Sequence, residues 1–268
     1  MHYQLYTPSP ALAGFVKCYW SLEGSELPGV QQRVFPDGCM ELVFHYGDLF
    51  TKYHPNGRSV FQPRSFIHGQ LTRFIEIGGN GTVGVFSIRF HPQGLKSFVS
   101  ISLNEINDSA VSIDQLWGAA ARELEDRILH AGHNEDRVRI VEDFLLQKLS
   151  PSPVNHLVGR SVTMIDQQKG LVSIDELSLR LNTSRRHLER QFISATGLSP
   201  KQYGRITRLQ YILSLAEQGK FNTLTDLAYD AGFYDQAHFI KDFKTFTGLS
   251  PKQYFSAYLP LVKFFHLE

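Results

Sequence analysis

The octapeptide TGLSPKQY occurs at Thr196–Tyr203 and again at Thr247–Tyr254, 51 residues later. An identity of this length at this interval means that one supersecondary unit is built twice. The match extends upstream. Leu177 aligns with Leu227 and Leu181 with Ala231 at an offset of 50, while Leu188 aligns with Phe239 and Phe192 with Phe243 at an offset of 51. The second copy therefore carries one extra residue between two segments of helical period.

Each copy reads as two short helices joined by a tight turn. In the first, Ser173 and Glu176 cap a helix whose apolar face is Leu177 and Leu181. Asn182 stands where the chain leaves that helix, and Ser184 caps a second helix with Leu188 and Phe192 facing inward. In the second copy Leu227, Ala228 and Ala231 form the first face, Gly232 makes the exit, and Phe239 and Phe243 form the second face. This is the pattern of a helix-turn-helix. The octapeptide is the corner that follows. Gly197 suits a helix C-cap, Ser199 and Gln202 a capping box, Pro200 the first position of the next helix, and Leu198 with Tyr203 a hydrophobic staple.

From Pro200 to Ala216, Ile206, Leu209, Leu213 and Ala216 keep a helical period. Such a helix is about 25 Å long. With the helices at its ends, it can hold two recognition helices about 34 Å apart, one turn of B-DNA.

The first hundred residues follow another rule. In CMELVFHYGD, Met40, Leu42, Phe44 and Tyr46 alternate with Glu41 and His45; in TVGVFSIRF, Phe86, Ile88 and Phe90 alternate with Ser87 and Arg89. Turn sequences at Pro36–Gly38, Pro55–Gly57 and Gly78–Gly81 separate such runs, as in an antiparallel barrel or sandwich. Beyond Leu103 the period becomes helical. Ser112 and Gln115 read as a capping box before Leu116, Ala120, Leu124 and Ile128, and Val138, Val141, Leu145 and Leu149 follow on a second helix. Ser150–Asn155 is the linker candidate. The expected architecture is α+β: a β-barrel-like domain with helices over residues 1–152 (helical part about 104–150), then an all-α domain over 153–268 with two helix-turn-helix units. A closing helix after the second corner is broken by Pro260.

Charge agrees with this division. From Asn155 onward there are 14 Lys and Arg against 10 Asp and Glu; the preceding part has 13 against 16. The basic bias of the second half suits a nucleic-acid contact. No run of apolar residues approaches the length of a membrane span, and MHYQLYTPSP lacks the basic start and apolar core of a secretory signal. A cytoplasmic protein is expected, with Cys18 and Cys39 as reduced thiols. Cys18, Cys39, His45, His54, His68 and His91 show no close pair of metal-ligand spacing, so no metal or cofactor is expected.

The segments SRRHLERQF, TGLSPKQY, LTDLAYDAGFYDQAHFIKDFKTFTG and the second SPKQY resemble the AraC/XylS family of bacterial transcriptional regulators, over roughly Val162–Phe255. The resemblance implies a seven-helix DNA domain, double-stranded DNA as partner, and RNA polymerase as a further one. It assigns base reading in the first unit to Arg186, Glu189 and Arg190, with Arg185 near phosphate, and in the second to Gln236, Ala237, His238, Ile240 and Lys241. Arg190 and Arg186 suit guanine, and Glu189 suits cytosine N4. Arg205 and Arg208 on the connecting helix are candidates for phosphate. Asp235 and Asp242 make the second helix look the poorer phosphate binder.

RVFPDGCMELVFHYGD and GVFSIRFHPQG resemble signature stretches of sensor domains attached to a subgroup of this family. That resemblance implies a small-molecule effector and makes Trp20, Arg33, His45, His68 and Arg89 candidates to line its pocket. The helix from Asp114 to about His130 either mediates a homodimer or packs on its own barrel. Two other functions stand beside a sequence-specific regulator: an architectural DNA binder without ligand, and an alkyl-transfer repair enzyme carrying this DNA domain. The enzyme needs an activated thiolate, and two separated cysteines outside any cysteine cluster speak for no catalytic residue.

Overall fold

A computed structural model describes residues 1–26, 29–150, 155–219, 221 and 223–258. The chain begins with β1 (His2–Tyr6), β2 (Val16–Ser25), β3 (Gln32–Val34), β4 (Glu41–His45) and β5 (Thr51–Tyr53). It continues through β6 (Ser59–Phe61), β7 (Ser65–His68), β8 (Ile75–Gly78), β9 (Thr82–Phe90) and β10 (Ala110–Ser112). Helices α1 (Ile113–Trp117), α2 (Ala119–His130) and α3 (Asn134–Lys148) complete the first domain.

The strands form two antiparallel sheets, ordered β1-β2-β9-β4-β7-β10 and β3-β8-β5-β6. The expected barrel is not closed. The second sheet explains why: its strands are three or four residues long, too short to continue the ladder around a barrel. The first sheet is covered on both sides. Leu42, Phe44, Ile67, Phe86, Ile88 and Phe90 pack against Ala121, Leu124, Ile128, Val141 and Leu145 of α2 and α3. On its other face Leu22, Val43, Phe66, Val83 and Val85 meet Phe50 and Ile77 from the second sheet's side. Side-chain alternation in β4 and β9 thus separates two buried faces, not a buried face from a wet one.

The apolar face of α2 is used within its own domain. The single helix expected from Ser112 is broken at Gly118, where φ +56° ends α1 and starts α2, and Ser112 makes no side-chain cap bond. The middle of the linker candidate (151–154), the boundary drawn between 152 and 153, and Pro260 lie outside the described residues.

The second domain is helical: α4 (His156–Gln167), α5 (Ile174–Arg180), α6 (Arg185–Thr196), α7 (Pro200–Glu217), α8 (Leu224–Asp230), α9 (Gln236–Thr247) and α10 (Pro251–Tyr258). One core joins all seven, with Ile206, Leu209, Ile212 and Leu213 of α7 at its centre. Both exits between paired helices are left-handed: Asn182 at φ +48° after α5 and Gly232 at φ +68° after α8. The two corners are built alike. Gly197 (φ +80°) and Gly248 (φ +75°) close α6 and α9. Ser199 Oγ accepts from Gln202 N while Ser199 N donates to Gln202 Oε1, and Ser250 and Gln253 make the same exchange. Each such cap is worth about 1 kcal/mol.

Candidate nucleic-acid interface

Helices α6 and α9 each bury one side in the common core and leave the other open. Leu188 and Phe192 on α6, and Phe239 and Phe243 on α9, are fully buried. At the offset of 51, Arg186, Glu189, Arg190, Ile193 and Ser194 on α6 correspond to Ala237, Ile240, Lys241, Lys244 and Thr245 on α9. Positions spaced by three and four share one helix face, so each set is a stripe. On α9 the stripe lines a shallow hollow of about 480 Å³.

Every position of the two stripes differs in residue type, so the two helices present different chemistry outward. On α6, Arg185, Arg186 and Arg190 are exposed. Arg185 pairs with Glu189 at 3.4 Å and with Asp175 at 3.7 Å. Arg190 Nη2 lies 3.3 Å from His187 Nδ1. Arg186 has no ion pair among the described residues. Exposed pairs of this kind contribute about 0.3–0.5 kcal/mol and yield readily to a stronger anion. On α9, Gln236, Ala237, His238, Ile240 and Lys241 are exposed. Lys244 and Thr245 extend the same stripe by one turn. Sequence reasoning passed over both, although their spacing from Lys241 was visible. It also passed over Tyr234, 92% exposed in the turn that enters α9.

The two acidic residues of α9 and its N-cap are both engaged. Asp235 caps α9 by accepting from His238 N at 2.7 Å. Asp242 is buried and accepts two hydrogen bonds from Arg205 of α7, at 3.1 and 2.9 Å. Arg205 also lies over the Phe246 ring. Arg208 donates to Gly170 O at 3.1 Å and lies over the Phe233 ring. Burial lowers the Arg208 pKa. The structure thus places Arg205 and Arg208 in bonds that hold the helical domain together, and leaves the basic side chains of α6 and α9 outward.

In the first domain, Trp20, His45, His68 and Arg89 share the face of the six-stranded sheet that meets the smaller sheet. Trp20 stacks on Tyr3, and its Nε1 has no hydrogen-bond partner among the described residues. His45 Nε2 lies 3.1 Å from Gln62 Oε1, and burial pushes the His45 pKa down to about 4. His68 Nδ1 meets Gly69 O at 2.8 Å, and its buried Nε2 has no partner among the described residues. Arg89 bonds Glu41 at 2.8 Å and Asp37 at 3.2 Å. Arg33 stands apart from these four. It lies at the junction of the domains, bonded to Glu76 at 2.9 Å and to Thr247 O at 3.1 Å. The thiols are poor nucleophiles, since burial pushes both Cys18 and Cys39 up. No helix among the described residues is long and apolar enough to cross a membrane.

A family model described as a helix-turn-helix domain matches residues 177–257, and one described as a domain of unknown function (DUF6597) matches residues 4–112. The Msm operon regulatory protein of Streptococcus mutans serotype c is 31% identical over 121 residues, 43% of this chain and 42% of that protein. The HTH-type transcriptional regulator MtrA of Neisseria gonorrhoeae is 34% identical over 101 residues, 38% of this chain and 32% of that protein. The alignments thus span less than half the length of these relatives. ToxT from Vibrio cholerae shares the fold, with a TM-score of 0.51 at 12% identity, over 89% of this chain and 98% of that one.

Proposed function

We propose that this chain is a cytoplasmic, sequence-specific transcription regulator of the AraC type that reads two unlike blocks of DNA, a reading supported by its helix-turn-helix match over residues 177–257 and its likeness to a regulatory protein. One observation carries the reading: two equivalent stripes, on α6 and α9, stand open on helices whose backs share a single core. One chain then presents two recognition helices to successive major grooves.

The stripes differ in chemistry. Arg186 and Arg190 can donate bidentately to guanine O6 and N7, and Glu189 can accept from cytosine N4. Ala237 and Ile240 are apolar and suit the thymine methyl. Lys241 and Lys244 suit phosphate, which positions the helix without reading sequence. The first block is therefore G·C-bearing and the second thymine-bearing. The sensor role falls to the buried seam between the two sheets, where Trp20 Nε1 and His68 Nε2 have no hydrogen-bond partner among the described residues. A small effector with complementary hydrogen-bonding groups is the ligand this supports.

The test is competition between a selected site and random DNA at fixed salt. A regulator of this kind prefers its site by about 10³-fold or more. A ratio near one would favour an architectural DNA binder.

A further inference from the structure

Both copies of the repeated corner are touched by the first domain. At the first corner Asn107 Nδ2 donates to Gly197 O at 2.8 Å, and the Leu103 carbonyl lies so close that a β-carbon on Gly197 would meet it at 3.1 Å. At the second corner Arg33 Nη1 donates to Thr247 O at 3.1 Å, and a β-carbon on Gly248 would strike the Phe74 ring at 2.4 Å. Arg33 also lies over that ring, 4.6 Å from its centre.

Between these points runs a short segment, Arg33–Gly38, which reaches both units. Phe35 packs edge-on against Tyr254 of α10, at 5.6 Å between ring centres. The Pro36 carbonyl accepts from Gln210 Nε2 of α7 at 2.5 Å. Gly38 faces the Tyr203 ring so closely that a β-carbon would sit 2.6 Å from it. Asp37, between them, is held by Arg89 from the inter-sheet face. These contacts fall on the corners and the connecting helix. They leave the outer stripes of α6 and α9 exposed, so the first domain does not cover the readers. It holds them from behind.

We propose that Arg33–Gly38 and Asn107 are positioning residues that fix the two DNA-reading units relative to one another, and so set the block spacing that the protein accepts. The proposal rests on the two-helix reading of DNA. A rigid pair of readers tolerates only one spacing, because each added base pair rotates the far block by about 34–36° around the duplex. Cutting the first domain's hold on one or both corners loosens the pair. Affinity for the best spacing then falls while altered spacings gain relative to it.

The experiment uses the full chain and the variant R33A/N107A, with F74A as a milder second variant, all checked for folding by circular dichroism and thermal melting. Binding is measured on DNA carrying the two blocks at the optimal spacing and with one to three base pairs inserted. The distance between nitroxide labels, carried by unnatural amino acids at the exposed positions of Leu179 and Tyr229, is measured without DNA. The expected result is a preference for the optimal spacing that falls by about tenfold in the variants, with single-block binding unchanged and a broadened label distance. An unchanged spacing preference in a protein that binds two-block DNA would overturn the proposal. An unchanged label distance would overturn it even if the wild-type chain failed to bind such DNA, an outcome that separately defeats the two-helix reading.

Discussion

Arg205 of α7 holds Asp242 of α9 through two hydrogen bonds, Nε to Oδ2 at 3.1 Å and Nη2 to Oδ1 at 2.9 Å. The Asp242 side chain is only 10% exposed, so losing Arg205 leaves a buried carboxylate with His238 Nε2, 3.8 Å away, in place of two hydrogen bonds. Arg205 itself is 35% exposed, and solvent moderates the loss. We expect Arg205→Ala to destabilise the helical domain by about 2 kcal/mol in urea unfolding. The salt dependence of DNA binding should keep its slope. A slope reduced by about one would instead make Arg205 a phosphate contact.

Arg186 and Arg190 are expected to behave differently. Replacing either with Ala removes no buried contact, so stability should change by less than about 0.5 kcal/mol. Binding should weaken by about 1–3 kcal/mol, with specificity relaxed at one base pair of the first block. Binding across a panel of single-base variants of the site measures this. A uniform loss on every DNA would reduce the residue to a phosphate contact.

Because the stripes sit on equivalent scaffolds, they should be exchangeable. The variant A237R/I240E/K241R gives α9 the three leading side chains of the α6 stripe, all at exposed positions. The second block selected by this variant should acquire the G·C character of the first. Retention of a thymine-bearing second block would show that Ala237 and Ile240 do not read bases.

His45 gives stability a pH dependence. Buried between Phe50 and Phe66, it has its pKa pushed down from the ordinary 6.5 to about 4. The folded chain keeps it neutral where the unfolded chain protonates it. Stability is therefore full above pH 6.5 and falls as pH drops from 6.5 towards 4. Burial shifts His68 and His91 in the same direction. His45→Gln should remove up to about 3 kcal/mol of the fall across that window. Unfolding at pH 7.5, 6 and 5 measures it, and an unaltered slope in the variant would assign the acid sensitivity to other groups.

The helical domain was legible in the sequence because its determinants are local. Asn182, Gly232, Gly197 and Ser199 each announce a backbone state within a few residues of the helix they end or begin. The outward placing of Arg186 and Arg190 follows from the same helical period. Arg205 was not legible as a structural residue, because Asp242 lies 37 residues away and no local pattern links them. In the first domain the alternation of Met40 to Tyr46 revealed a strand. It did not reveal that the Glu41 and His45 side is also covered, because the covering strands are too short to carry a period. Gly118 broke an apolar helical period that looked continuous. The contacts of Arg33 and Asn107 with the two corners join distant parts of the chain and become visible only in the fold.

Whether one chain reads two unlike blocks with two helices is decided by selecting bound DNA from a random pool. The expected result is an asymmetric site with two different blocks, centred about 10–10.5 base pairs apart. The block read by α6 should carry G·C pairs, and the block read by α9 should carry thymine. A single enriched block, or two identical blocks, would contradict it.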